Sequence, residues 1–156
     1  MSSNNDLVIV FVLILANAAF VMSELAIVSS RKVRLQQMAE RGDLKARVAL
    51  DLSNSPNQFL AIVQVGITML AILSGAFGEE TIAKRVRVLL ELIPGIAPYK
   101  DAIASIIAVL IITYLTLIIG ELVPKRLALN NPEPIAATVA IPMRMLAKIA
   151  APVVHL

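Results

Sequence analysis

Three long apolar stretches, each interrupted by only a few polar residues, decide what this chain can become. Residues 7–28, 59–78 and 102–123 each run for about twenty residues. At about 1.5 Å of rise per residue, each is long enough to cross the roughly 30 Å hydrocarbon core of a bilayer as a helix. The composition agrees. Of 156 residues, 58% are apolar and only 16% are charged, where a soluble domain carries roughly a quarter. Aromatics are scarce, so the excess is Leu, Ile, Val and Ala, the material of lipid-facing helices. There is no cysteine, which excludes a disulfide scaffold and a thiolate metal site, and the single histidine lies at position 155. Phosphate-binding glycine loops and dinucleotide fingerprints are absent, as is any hydrolytic triad. The sequence therefore predicts an all-α membrane protein of three transmembrane helices with no enzyme chemistry and no nucleic-acid partner.

Charge placement orients the spans. Arg31, Lys32, Arg34, Arg41, Lys45 and Arg47 crowd the connection between the first two, and Lys125 and Arg126 close the third. Basic loops stay cytoplasmic, so the amino terminus is expected outside, in a multi-pass protein of the inner (plasma) membrane. The connection from Glu79 to Asp101 balances its charges and is assigned to the outer side. Asp6 precedes the first span where a signal peptide would carry basic residues, so that span is expected to be retained.

The connections carry helical patterns of their own. Gly42-Asp43 spells a helix stop followed by an N-cap, and Leu44, Val48 and Leu52 then recur at helical spacing. Ile82, Val86, Leu89, Leu90 and Ile93 predict a second interfacial helix that stops at Pro94-Gly95. Residues 134–156 are apolar but hold Pro134, Pro142 and Pro152, with Arg144 and Lys148 between them. Those residues predict broken helices at the cytoplasmic interface rather than a fourth span.

Function should lie in the few polar residues inside the spans. Intramembrane acids cost at least about 2.5–3.5 kcal/mol at mid-depth, and two are present. Glu24 precedes Arg31 by about 10 Å along a helix, and Glu121 precedes Lys125 by about 6 Å, so interfacial pairing is one reading of both. Glu121 has the more specific setting, Gly120-Glu121-Leu122-Val123-Pro124-Lys125. Pro124 has no N–H to offer the Gly120 carbonyl, so a backbone oxygen and a carboxylate fall on adjacent residues, half of a site for a hard cation. A plain proline kink, with water or a hydroxyl on that carbonyl, is the competing reading. The first span adds Asn17, Ser23 and Glu24. The second adds Gln64 and Thr68 on one face, and its Ser74-Gly75-Ala76-Phe77-Gly78 run suggests close helix packing.

These runs resemble the transmembrane domain of the CorC/CNNM magnesium transporters. The resemblance is carried by Ser23-Glu24-Leu25-Ala26 with Ser29-Ser30-Arg31, by Asn57-Gln58-Phe59-Leu60 with Gln64-Val65-Gly66-Ile67-Thr68, and above all by Gly120 to Lys125. It implies a homodimer with three membrane helices and a juxtamembrane belt per subunit, which exports Mg²⁺ as the transported ion with Na⁺ as the coupling ion. It also implies Ser23, Gly120 and Glu121 as metal ligands. Where the family often has asparagines after the second-helix glycine, this chain has none, so Thr68 and Gln64 are the substitute metal ligands. Cytoplasmic CBS domains and a further C-terminal domain, found in that family, are expected beyond the 156 residues. Two other readings are a non-transporting dimeric membrane anchor or sensor for such domains, and a proton-coupled exporter of small organic cations that uses Glu24 and Glu121. The scarcity of aromatics weighs against the last.

Overall fold

The computed structural model describes residues 3–154, and every regular element among them is helical. In chain order these are α1 (Ser3–Ser29), α2 (Lys32–Glu40), α3 (Leu44–Asn54), α4 (Pro56–Leu90), a short 3₁₀ turn (Ala97–Tyr99), α5 (Lys100–Leu117), a π-turn (Ile118–Leu122), α6 (Val123–Asn130) and α7 (Pro132–Val154). Three helical rods are long and apolar enough to cross a membrane: Asn4–Ser29, Pro56–Leu90 and Lys100–Asn130. The last is α5, the π-turn and α6 stacked end to end. The chain is thus a multi-pass membrane domain, as its three apolar stretches require.

Local chemistry sets the breaks. Gly42 takes φ +96°, a left-handed conformation that ends the α2 segment. The Asp43 carboxylate then accepts hydrogen bonds from the Lys45 and Ala46 amides (3.0 and 3.2 Å) and caps α3. Gly95, at φ +97°, turns the chain after α4.

The structure corrects three expectations. First, the interfacial helix expected between the second and third spans is not a separate element among the described residues: α4 runs unbroken for 35 residues to Leu90. Nothing between Gly78 and Leu90 breaks a helix, and Ile82, Ala83 and Leu90 are buried with Val10, Ile14, Ala104, Ala108 and Ile112 of α1 and α5. Second, residues 132–154 form one helix rather than broken pieces. Pro134 falls in the first turn, where no N–H is needed, and Pro142 removes a single ladder bond from a helix held by buried Ala136, Ala137 and Ala140. Third, the expected apolar face of α3 loses its first member: Leu44 is exposed, and Ala46 and Ala49 are the residues wholly buried. Val48 and Leu52, the other two residues of the expected face, are partly buried against the same cluster, and the small alanines let α3 and α7 approach closely.

Side-chain burial divides the molecule along its long axis. One apolar cluster lies at the end of the basic loop and joins Ile27, Leu35, Phe59 and Val63 with alanines of α1, α3, α6 and α7. The other lies at the opposite end, among α1, α4 and α5. Along α1 the stretch between them contains Asn17 and Ser23, both wholly buried. At this second cluster Gly78 of α4 meets the Ile112 side chain of α5 so closely that a methyl group there would collide with it. Ser74, one turn earlier, is also buried, which fulfils the small-residue packing expected of that run.

Candidate ion-binding site

The two acid-bearing runs, Ser23-Glu24 and Gly120-Glu121, take different backbones. Ser23 and Glu24 sit in regular α-helix, and the Ser23 hydroxyl donates to its own helix at the Ala19 carbonyl (2.6 Å). Gly120 and Glu121 sit inside the π-turn, where the Val123 amide reaches back to the Ile118 carbonyl. Pro124 explains the position: with no N–H to give Gly120, the α-ladder cannot continue there, and one residue is accommodated in a wider turn.

The Gly120 carbonyl is not left to water. Asn17 Nδ2, from α1, donates to it at 3.2 Å in a buried hydrogen bond. A methyl group on Gly120 would stand 3.2 Å from that same nitrogen, a tight contact to which the Asn17 side chain would have to yield by a few tenths of an ångström. The other half of the Asn17 amide is the notable one. Its Oδ1 is buried and has no hydrogen-bond partner among the described residues. Buried amide oxygens are seldom left unpaired, and each costs roughly 1–3 kcal/mol when they are.

Glu121 points to the other side of the turn. Its half-buried carboxylate lines a cavity of about 220 Å³ between α4 and α5, together with Thr113, Thr116, Ala71 and Gly75. It makes no ion pair among the described residues, so the alternative reading of a pair with Lys125 is not met, nor is that of Glu24 with Arg31.

The residues singled out from sequence are therefore distributed as follows. Gly120 and Glu121 are adjacent on the π-turn but face α1 and α4 respectively. Ser23 is buried six residues beyond Asn17, about 9 Å along α1. Gln64 and Thr68 are exposed, yet they share one helical stripe with Ala71 and Gly75, the α4 wall of the Glu121 cavity. No group of three acidic, histidine or cysteine side chains gathers among the described residues, so any cation here would rest on backbone, amide and hydroxyl oxygens around one carboxylate.

Sequence reasoning noted Asn17 only as a polar neighbour of Glu24, and it turns out to face Gly120. Glu133 was missed altogether. It is 3% exposed, and its carboxylate accepts from the Arg31 amide at 3.3 Å, clasping the start of α7 to the junction of α1 and α2. Its only signal was the run Asn131-Pro132-Glu133, which has the form of a helix start with an acid in its first turn.

A bundle of three membrane-crossing rods, with a belt of shorter helices at one end and a π-turn carrying an acid in the third rod, defines a polytopic membrane domain built around a small polar layer. The chain belongs to the CNNM family: residues 8–156 match the model described as the cyclin M transmembrane N-terminal domain. It is 50% identical over 151 residues to a UPF0053 protein of Synechocystis sp., covering 97% of this chain and 34% of that protein. It is also 35% identical over 130 residues to the polyamine export protein of Haemophilus influenzae, covering 81% of this chain and 29% of the relative. Against the polyamine export protein of Escherichia coli the identity is 28% over 150 residues, covering 96% and 33%. The chain spans about a third of the length of these curated relatives.

Proposed function

We propose that this chain is the ion-handling membrane part of a cation exporter, with Mg²⁺ as the exported ion and Na⁺ entry as the driving reaction. The observation that carries the reading is Glu121: an acid without an ion pair, inside a membrane-crossing rod, on a π-turn whose neighbouring carbonyl is held by a buried asparagine. An acid at that depth is costly unless it meets a cation for part of its working cycle. Mg²⁺ favours the oxygen donors present, and it keeps several waters, which suits a site with one carboxylate. In this reading Glu121 supplies the charge. Ser23, the Gly120 carbonyl, Thr68 and Gln64 supply oxygens as the π-turn and α4 shift relative to α1. The working unit is a homodimer, its amino termini outside the cell membrane, with cytoplasmic CBS domains beyond this segment.

Calorimetric titration of the purified chain with Mg²⁺, Ca²⁺ and Na⁺ tests the site. Mg²⁺ binding is expected to be lost in Glu121→Gln while the variant keeps its melting temperature in the absence of ion. Undiminished Mg²⁺ binding by that variant would overturn the reading. Two relatives bearing the name polyamine export protein favour a second one, in which Glu121 meets an ammonium group of an organic polycation. Saturable spermidine binding that depends on Glu121, in a protein that ignores Mg²⁺, would select it. Vesicle flux with and without a Na⁺ gradient, on the full-length protein, tests the coupling.

A further inference from the structure

We propose that the pocket between α3, α4 and α7 is a binding site for the phosphate headgroup of an anionic phospholipid, whichever cation the membrane domain carries. The pocket, about 370 Å³, opens where the last turn of α3 meets the first turn of α4, and α7 closes its third side. Two cations line it, Arg144 and Lys148, one turn apart on α7. Neither forms an ion pair among the described residues, although Asp51, the one acid of the lining, stands on the opposite wall. The lining therefore keeps a net positive charge that the protein itself does not neutralise. The amino-terminal end of α4 faces the same space, and the Ser55 side chain caps none of its amides, which adds the positive end of a 35-residue helix.

A second feature selects a lipid over a soluble anion. Ile141, Met145 and Ile149 recur every fourth residue on α7, on the strip of helix surface beside Arg144 and Lys148, and all three are exposed, Ile149 to 75%. α7 is not one of the three membrane-crossing rods, but it packs against the end of the bundle where the second rod begins. An amphipathic helix at that level, with an apolar strip flanked by unpaired cations, can offer its cations to a headgroup phosphate and its strip to the acyl chains. A free phosphate ion would use the cations and leave the strip bare.

The test is thermal unfolding of the purified chain in neutral detergent, with dioleoyl-phosphatidylglycerol, dioleoyl-phosphatidylcholine or inorganic phosphate added. Phosphatidylglycerol is expected to raise the melting temperature saturably, and the other two are not. The half-saturating mole fraction should rise about fivefold in Arg144→Gln or Lys148→Gln and about 25-fold in the double variant. Arg144→Lys should retain most of the effect. The double variant Arg41→Gln/Lys45→Gln removes as much charge from the same end of the molecule and should respond like the parent. Equal protection by phosphatidylcholine would overturn recognition of the anion, and equal protection by phosphate alone would make this a soluble-anion site. An equal loss in the Arg41/Lys45 control would reduce the effect to diffuse surface charge.

Discussion

Asn17 does two things with one amide: its nitrogen closes the carbonyl that Pro124 leaves without an α-helical donor, and its oxygen remains unpaired in the polar layer between the two apolar clusters. Removing the side chain takes away the donor and opens a void, so Asn17→Ala should destabilise the domain by about 1–3 kcal/mol. Pro124→Ala returns an N–H to position 124. If the Asn17 bond stands in for that missing donor, Asn17→Ala should cost less in the Pro124→Ala background, by at least about 0.5 kcal/mol in a double-mutant cycle. Reversible unfolding in mixed micelles measures all four proteins. Strict additivity would mean that Asn17 contributes through packing alone. The sequence made half of this visible: Pro124 pointed to the Gly120 carbonyl, but nothing in the spacing of α1 says that residue 17, 103 positions away, supplies the donor. That is a tertiary fact, fixed by how two helices settle against each other.

Among elements, the α4–α5 contact gives the cleanest contrast, because two glycines three residues apart meet different surroundings. A Cβ on Gly78 runs into the Ile112 side chain, whereas one on Gly75 meets nothing within 4 Å. Gly78→Ala should therefore force the rods apart at a cost of about 1–3 kcal/mol, the usual penalty for overpacking. Gly75→Ala should be neutral or slightly stabilising, since alanine is the better helix former by up to about 1 kcal/mol. Melting temperatures of the two variants, side by side, check the assignment. The small-residue run at 74–78 showed in the sequence that helices pack there, but not which glycine bears the contact. The three rods and the Gly42 and Gly95 turns were equally legible, because hydropathy and turn chemistry are local. The continuity of α4 and α7 was not. Apolar periodicity cannot tell a new interfacial helix from a span that simply continues past the bilayer. Three prolines overstate a break when Pro134 sits in the first turn, Pro152 near the end, and Pro142 in a helix packed through Ala136, Ala137 and Ala140.

For the whole molecule, the two apolar clusters imply two regions of different resilience. The cluster far from the basic loop is built on helices of 27, 35 and 18 residues lying side by side. The cluster at the basic end takes Ile27, Phe59 and Val63 from α1 and α4, but it also depends on short elements, with α2 and α3 only 9 and 11 residues long, and on alanines that bury little area each. Short helices hold their shape through such tertiary contacts rather than through their own ladders. Glu133 is the long-range clasp of this end, joining α7 to the Arg31 amide across 102 residues of sequence. Truncating it in Glu133→Ala strands that amide and empties a buried site, so local opening of the belt should become easier by about 1 kcal/mol or more. That corresponds to amide hydrogen exchange at least about fivefold faster in α2 and the first turn of α7. Glu133→Gln keeps an acceptor oxygen and should restore most of the protection. Exchange in α5 should be unchanged in both, because the cluster far from the basic loop contains no residue of the belt. Equal acceleration in α5 would mean that the domain opens as one unit and that the polar layer at Asn17 does not divide it.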